Sequence, residues 1–371
     1  MREHYDQIVV GGGVIGCSIA YQLSKRGYRV LVIENDVIGS GASSAAAGML
    51  GAQLEFSSDS ALFHFARQSR AFFPELSREL EEASGINIGL IQKGTMKLAF
   101  TEKQLIELKE IARFQGKAGE SALLLTQKAA LLKERRLTGN FLAALFFPDD
   151  GQVSAPQLTL AFAKAARNHG AVLLEHTQVS ELIEQENGLK GVRTTNGLYY
   201  SDQIVMATGK DTTKWLPYDL AITPVKGECI SVRPDQPLIE STIFSDGCYL
   251  VPKNDGSIII GATSLHGITD KTVRVKGVQQ LLTKARKIIP AIEHAQLEHF
   301  WAGIRPQTSD GFPYIGEVPG RDGVYVAAGH YRNGILLSPI TGMMVADLIE
   351  GKAAAKYAAS FALNRVQRAF V

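Results

Sequence analysis

Gln7-Ile8-Val9-Val10-Gly11-Gly12-Gly13-Val14-Ile15-Gly16 places a short apolar run directly before three glycines and a helix-forming segment. Gln7 to Val10 predicts a strand, and Val14 to Arg26 has helical spacing. Gly27 ends that helix as a C-cap glycine would, and Arg29 to Ile33 predicts a second buried strand. Strand, glycine turn, helix and strand in this order make the first half of a doubly wound sheet. Gly11, Gly13 and Gly16 fit G-x-G-x-x-G. The first allows a tight turn, the second lets a pyrophosphate approach the backbone, and the third brings helix and strand together. The helix N-terminus offers unpaired N–H groups and partial positive charge to phosphates. Glu34 ends the second strand about 20 residues on, where an acidic side chain binds ribose hydroxyls. A glycine turn that merely packs would leave Glu34 unexplained.

Beyond Glu34, Ser40 to Ala52 is a stretch of glycine, serine and alanine with little bulk. Ser43-Ser44-Ala45-Ala46-Ala47-Gly48-Met49 would let backbone approach a large flat ligand, with serines to bond phosphate. A tightly packed helix N-terminus reads the same way, and the fingerprint serves FAD and NAD alike, so the residues alone leave both open. Helices are expected around 60–84, 102–116 and from Ala155 to Asn168. The parallel sheet resumes with a strand over 203–207 that ends in Ala207-Thr208-Gly209. Residues 224 to 263 differ: Val225–Val232, Cys248–Pro252 and Ser257–Ala262 are strand-like runs with polar breaks, which predicts an antiparallel sheet. A final strand, Val324 to Ala328, precedes a glycine turn and a helix from Gly334 to Glu350. The expected fold class is therefore α/β: a Rossmann-like dinucleotide-binding domain (1–80, 145–220 and 303–371) with an inserted antiparallel-sheet substrate domain (81–144 and 221–302).

The 371 residues suit two interleaved domains. With 45% hydrophobic and 20% charged residues the composition is that of a globular protein. A net charge of +2 with scattered basic residues calls for neither nucleic acid nor an anionic membrane. Lys133 to Arg136, interrupted by Glu134, reads as a solvated helix face. Cys17, Cys229 and Cys248 fit no disulfide framework and no metal-binding spacing, so packing is expected of each and no metal is expected. No signal peptide and no run of about 20 apolar residues is found, so a cytoplasmic location is expected.

The motifs together resemble the flavoenzyme family of D-amino acid oxidase, sarcosine oxidase and glycine oxidase. Within it they are most similar to the bacterial glycine-oxidase branch, which supplies dehydroglycine for the thiazole ring of thiamine. The likeness spans the chain. It includes Ser44 to Ala52, Pro224-Val225-Lys226-Gly227-Glu228-Cys229, Cys248-Tyr249 with Val251-Pro252, Gly261-Ala262-Thr263, Phe300 to Gly303 with Arg305-Pro306, and Ala327 to His330 with Arg332 to Leu337. It implies FAD contacts by Val14, Ile15, Glu34, Ser43, Ser44, Ala47, Gly48 and Met49, and by Val179 on the adenine side. His330 to Ile335, with Arg332, Asn333 and Gly334 between them, would wrap the flavin's pyrimidine end. Sarcosine oxidases carry a flavin-linking cysteine soon after the arginine–proline pair. Here Gln307-Thr308-Ser309-Asp310 follow, so the resemblance implies a non-covalent FAD.

An amino-acid oxidase must clamp a carboxylate, admit a neutral amine and aim Cα–H at the flavin. The resemblance makes Arg305 the clamp, since guanidinium matches carboxylate with two parallel hydrogen bonds. Tyr249 would close over the substrate and Arg332 would lie beside it. His330 is expected to contact flavin or pack, because hydride transfer from a neutral amino acid needs no protein base. The implied reaction converts glycine, with sarcosine, D-alanine and D-proline as further substrates, to oxo acid, ammonia and H2O2. The implied partners are thus a small amino acid and O2, in a homo-oligomer, commonly a tetramer in this family. Gly247 and Ser264 depart from the branch's histidine and methionine, which opens the substrate order. Lys210-Asp211 replaces a common aromatic, with no assigned effect. An amine dehydrogenase using another electron acceptor, an FAD-binding protein without turnover, and a nicotinamide-dependent dehydrogenase are the competing classes.

Overall fold

A computed structural model describes residues 4–184, 190–216, 219–245, 247–352 and 355–365. The ends of the expected dinucleotide-binding ranges at 1–3 and 366–371 lie outside the described residues, as do 185–189, 217–218 and 353–354 within those ranges and 246 in the substrate range.

The opening segment folds as its periodicity requires. His4–Val10 is a strand, Val14–Lys25 a helix and Val30–Ile33 a second strand with all four side chains buried. These strands pair in parallel, Gln7 beside Val30 through Val10 beside Ile33. The sheet continues in the order Tyr314–Glu317, Val324–Ala328, Gly197–Met206, His4–Val10, Val30–Ile33, Val172–Leu174. All neighbours on that path are parallel except the first pair. Val179–Glu184 and Lys190–Thr194 extend it as an antiparallel meander on Gly197–Met206.

The helix Val14–Lys25 packs against Ala155–Asn168 and Gly334–Ile349. Burying Ile335, Leu336 and Leu337 of Gly334–Ile349 contributes about 1.5–3 kcal/mol each. That helix contains Pro339, which cannot donate to the carbonyl four residues back. Ser338 Oγ donates to that carbonyl, Ile335 O, at 2.9 Å instead.

The second sheet is built on Thr223–Arg233, paired antiparallel with Gln296–Gln307 along its whole length and with Ile258–Gly261 on its other edge. Cys248–Pro252, Thr242–Ser245, Thr95–Ala99 and Ala143–Phe147 follow. This sheet is antiparallel as expected except at one place, where Thr242–Ser245 runs parallel to Thr95–Ala99. The exception arises because the two strands come from sequence-distant segments, so no hairpin dictates their direction. Val275–Ile288 forms a helix that the sequence reading did not include; it packs its Leu281, Ala285 and Ile288 on this sheet. Glu134 also departs from expectation. It is buried, and its carboxylate accepts from the N–H groups of Ser241, at 2.7 Å, and Glu240, at 3.2 Å.

Candidate functional site

The glycine turn closes over the first sheet because only a residue without Cβ fits there. Gly11 has φ +110°, and a Cβ on it would stand 2.4 Å from the Ala207 carbonyl oxygen. A Cβ on Gly16 would meet the Gly11 oxygen at 1.9 Å, so Gly16 holds the helix close from behind. The helix starts at Val14 with Gly13 as N-cap and no capping side chain from Gly13. The Val14 N–H donates to Ser43 Oγ across 2.9 Å. Glu34 receives the N–H of Gly12 at 2.7 Å and of Asp36 at 3.0 Å, which fixes its carboxylate beside the turn.

From here a cavity of about 930 Å³ runs between the two sheets, a volume at the upper end for ligand pockets. Gly11, Gly13, Val14, Ile15, Glu34, Ser43, Ala47, Gly48, Met49 and Val179 line one part of it. Tyr249, Arg305, His330, Arg332, Gly334 and Ile335 line another. Three donors from the second sheet and its connections clasp the small-residue run that forms the wall. Trp301 Nε1 donates to Ala45 O at 3.0 Å, and Lys271 Nζ to Ser40 O at 2.9 Å. Lys253 Nζ donates to Ala47 O, Gln152 Oε1 and Val153 O at 2.6, 2.7 and 3.1 Å.

Arg305 extends from Gln296–Gln307 over Gly227 of the neighbouring strand. A Cβ on Gly227 would lie 2.3 Å from Arg305 Nη2, so the glycine makes the guanidinium's seat. Arg305 Nη1 donates to Thr263 O at 3.3 Å. No carboxylate among the described residues stands within ion-pair distance of it. Tyr249 is buried, with its hydroxyl 3.4 Å from Cys229 Sγ. Burial first, then the neighbouring thiol, holds the phenol well above its ordinary pKa, so it stays a donor. Arg332 is paired with Glu55 at 2.8 Å, and that carboxylate holds the guanidinium protonated. His330 is buried with Nε2 3.1 Å from Thr341 Oγ1, and burial pushes its pKa down to about 3.

Residues 6–348 match the family of FAD-dependent oxidoreductases named DAO. The chain belongs to this family of FAD-dependent oxidoreductases. Among relatives of the DAO family, a glycine oxidase of Geobacillus kaustophilus is 48% identical over 98% of both chains. A glycine oxidase of Bacillus subtilis is 37% identical over 95% of each. The crystal structure of glycine oxidase from Geobacillus kaustophilus superposes with a TM-score of 0.96, covering 98% of this chain and 99% of that one. That of L-proline dehydrogenase from P. horikoshii reaches 0.90 at 28% identity, covering 100% and 99%.

The site fits the family's cofactor. Gly11 and Gly13 bring bare backbone to the cavity wall, the helix behind them has no cap of its own beyond Ser43, and the adjoining cavity has room for a dinucleotide. The DAO-family helix Gly334–Ile349 aims its N-terminus at the same cavity, with Gly334 and Ile335 in the wall. None of the three cysteines lines it, and all are buried free thiols.

Three residues named from the sequence stand elsewhere. Ser44 is exposed, because the short helix Ala42–Ala45 turns Ser43 inward and its neighbour out. Gly16 lies behind the wall. Asn333 is the N-cap of helix Gly334–Ile349 without a side-chain bond and does not line the cavity. Gly247 and Ser264 do line it, as does Lys210-Asp211, which had no assigned role. Asp211 is held between Lys210 at 2.7 Å and Lys214 at 2.6 Å. Sequence reasoning missed Glu55, Phe244 and Lys271. Only Glu55 had a usable signal, an acid three residues beyond the small-residue stretch.

Proposed function

We propose that this chain oxidises glycine to the oxo acid, ammonia and H2O2, and other small amines to the corresponding imine and H2O2, at the cavity between its two sheets. The guanidinium of Arg305, without a carboxylate partner among the described residues and fixed in the wall that adjoins the dinucleotide turn, is the observation that carries this. FAD, when bound, supplies the two-electron oxidant that takes hydride from the substrate Cα and returns the electrons to O2.

The protein's own residues bind and orient. Arg305 takes the carboxylate in a two-pronged pair, and neutral Tyr249 donates from Cys248–Pro252 of the same sheet. His330, uncharged at any working pH, leaves the substrate amine to arrive unprotonated from solution and adds no competing base. Alignment of Cα–H then carries the rate. Residues 1–80, 145–220 and 303–371 would act as the FAD-binding unit, and 81–144 with 221–302 as the substrate-binding unit. Glycine oxidases among the relatives support the substrate, and a bifunctional ThiO/ThiG protein of Trichormus variabilis supports a place in thiamine thiazole supply. That protein is 34% identical over 98% of this chain, which covers 55% of its length. Three free buried thiols accord with a reducing, cytoplasmic setting. No helix among the described residues is long and apolar enough to cross a membrane. A homo-oligomer, in the family's usual tetramer, completes the proposal and is checked by light scattering.

An oxygen electrode tests the chemistry on the purified yellow protein, with glycine, sarcosine, D-alanine and D-proline in parallel. Oxygen uptake and peroxide with glycine are expected. Anaerobic bleaching without oxygen uptake would instead favour an amine dehydrogenase, in line with the L-proline dehydrogenase neighbour. Silence by both readouts would refute turnover of these amines.

A further inference from the structure

Two guanidiniums line the described cavity, and they differ in charge compensation. Arg305 has no acidic partner among the described residues, whereas Arg332 Nη2 lies 2.8 Å from Glu55 Oε1. The Tyr331 N–H donates to Pro306 O at 3.1 Å, which sets the two arginines on neighbouring backbone in that wall. Glu55 also faces Lys97, whose ammonium stands 5.9 Å from the ring centre of Phe244, another wall residue.

Glu55 is held there by a buried network. Its own N–H donates to Gly51 O at 3.2 Å. The two residues before it, Gln53 and Leu54, donate their N–H groups to Asp150 at 3.1 Å each. Asp150 is fully buried and pairs with Arg70 at 2.8 Å, and Arg70 in turn reaches Glu120 at 2.5 Å. A carboxylate on such a braced loop is a fixed charge.

We propose that Glu55 determines specificity for substrates with a single carboxylate. Resting on the small-amine oxidase proposed above, this assigns the substrate carboxylate to Arg305 alone. Glu55 cancels Arg332, so a second anionic group on a substrate meets a carboxylate instead of a cation. The exclusion is electrostatic. Gly247 and Ser264, both small, stand in the same wall and leave space for a longer substrate.

The test compares glycine with iminodiacetate, a glycine bearing a second carboxymethyl group, in wild type and Glu55→Gln. The amide keeps the side chain's size and an oxygen for Arg332 while removing the charge. The ratio of kcat/KM for iminodiacetate to that for glycine should rise by tenfold or more, the order of one released charge-assisted contact. The change should fall mainly on KM for iminodiacetate, and adding Arg332→Met should abolish it. Flavin content and the visible spectrum confirm that each variant is folded. Calorimetric binding of malonate against acetate to the holoenzyme gives a second readout without turnover, and malonate should gain selectively in Glu55→Gln. An unchanged ratio by both readouts, or equal losses with both substrates as when Glu55 holds the substrate amine, would overturn the proposal. Wild-type protein that oxidises no small amine would defeat the oxidase function itself, and the malonate arm would still decide the role of Glu55.

Discussion

Replacing Gly227 by alanine tests the substrate clamp without touching it chemically. The new methyl would lie 2.3 Å from Nη2, 2.5 Å from Cζ and 2.6 Å from Nη1 of Arg305. Ordinary contact begins at 3.4 Å, so the guanidinium must retreat by ~1 Å. Gly227 has no positive φ and sits within a regular strand, so the backbone accepts alanine. The atoms that give way are the far end of a flexible side chain, and the fold should survive. A misplacement of ~1 Å near the reacting centre costs on the order of 10²-fold in rate, about 2.7 kcal/mol. Steady-state oxygen uptake should show kcat/KM for glycine falling ~10²-fold, with flavin content and melting temperature close to wild type. A Gly227→Ala enzyme with unchanged kcat/KM would refute both Arg305 as the clamp and the reasoning that its position is set by this seat.

His330→Phe tests the buried imidazole. Its folded pKa of about 3 lies below the ordinary 6.5, so the native state holds fewer protons than the unfolded chain between those values. The stability it confers is complete above pH 6.5 and declines as pH falls toward 3, at up to ~1.4 kcal/mol per pH unit. Denaturant titrations at pH 7, 5.5 and 4.5 should show this slope in wild type and a shallower one in the variant; equal slopes would count against it. Ser43→Ala removes the acceptor of the Val14 N–H, and apoprotein stability should drop by ~1 kcal/mol with weaker FAD retention on dilution. Lys253→Met strips three oxygens of their donor where the sheets meet. A loss of ~3 kcal/mol in unfolding free energy is expected, and a loss under 1 kcal/mol would mean that water replaces the ammonium.

The nucleotide half of the site was legible because its requirements are local. A turn without Cβ atoms, a strand on each side and Glu34 at the right distance are all set by neighbours in sequence. Arg305, Tyr249 and His330 were reached through family resemblance, since nothing in their immediate sequence separates them from other strand residues. Ser44 does not line the cavity because adjacent residues at the start of a short helix face different ways. Glu134 and Arg70 escaped notice for a common reason: a buried charge is recognised by its partners, and these come from sequence-distant segments. The parallel pairing of Thr242–Ser245 with Thr95–Ala99 is long-range in the same sense. Helix Val275–Ile288, by contrast, was readable from the spacing of Val278, Leu281, Leu282, Ala285 and Ile288 and was simply not drawn.

The strand that carries Arg305 reaches past the second sheet. Its last residue, Gln307, also bridges to His330, and Pro306 O accepts the Tyr331 N–H at 3.1 Å, just before helix Gly334–Ile349 begins. The distance between a bound carboxylate and that helix is therefore set by one backbone bridge between two neighbouring segments. The part of the wall formed by Phe244, Gly247 and Ser264 belongs to other connections. Evolution, or a designer, can reshape that wall for a bulkier amine while the gauge between carboxylate and redox centre stays set.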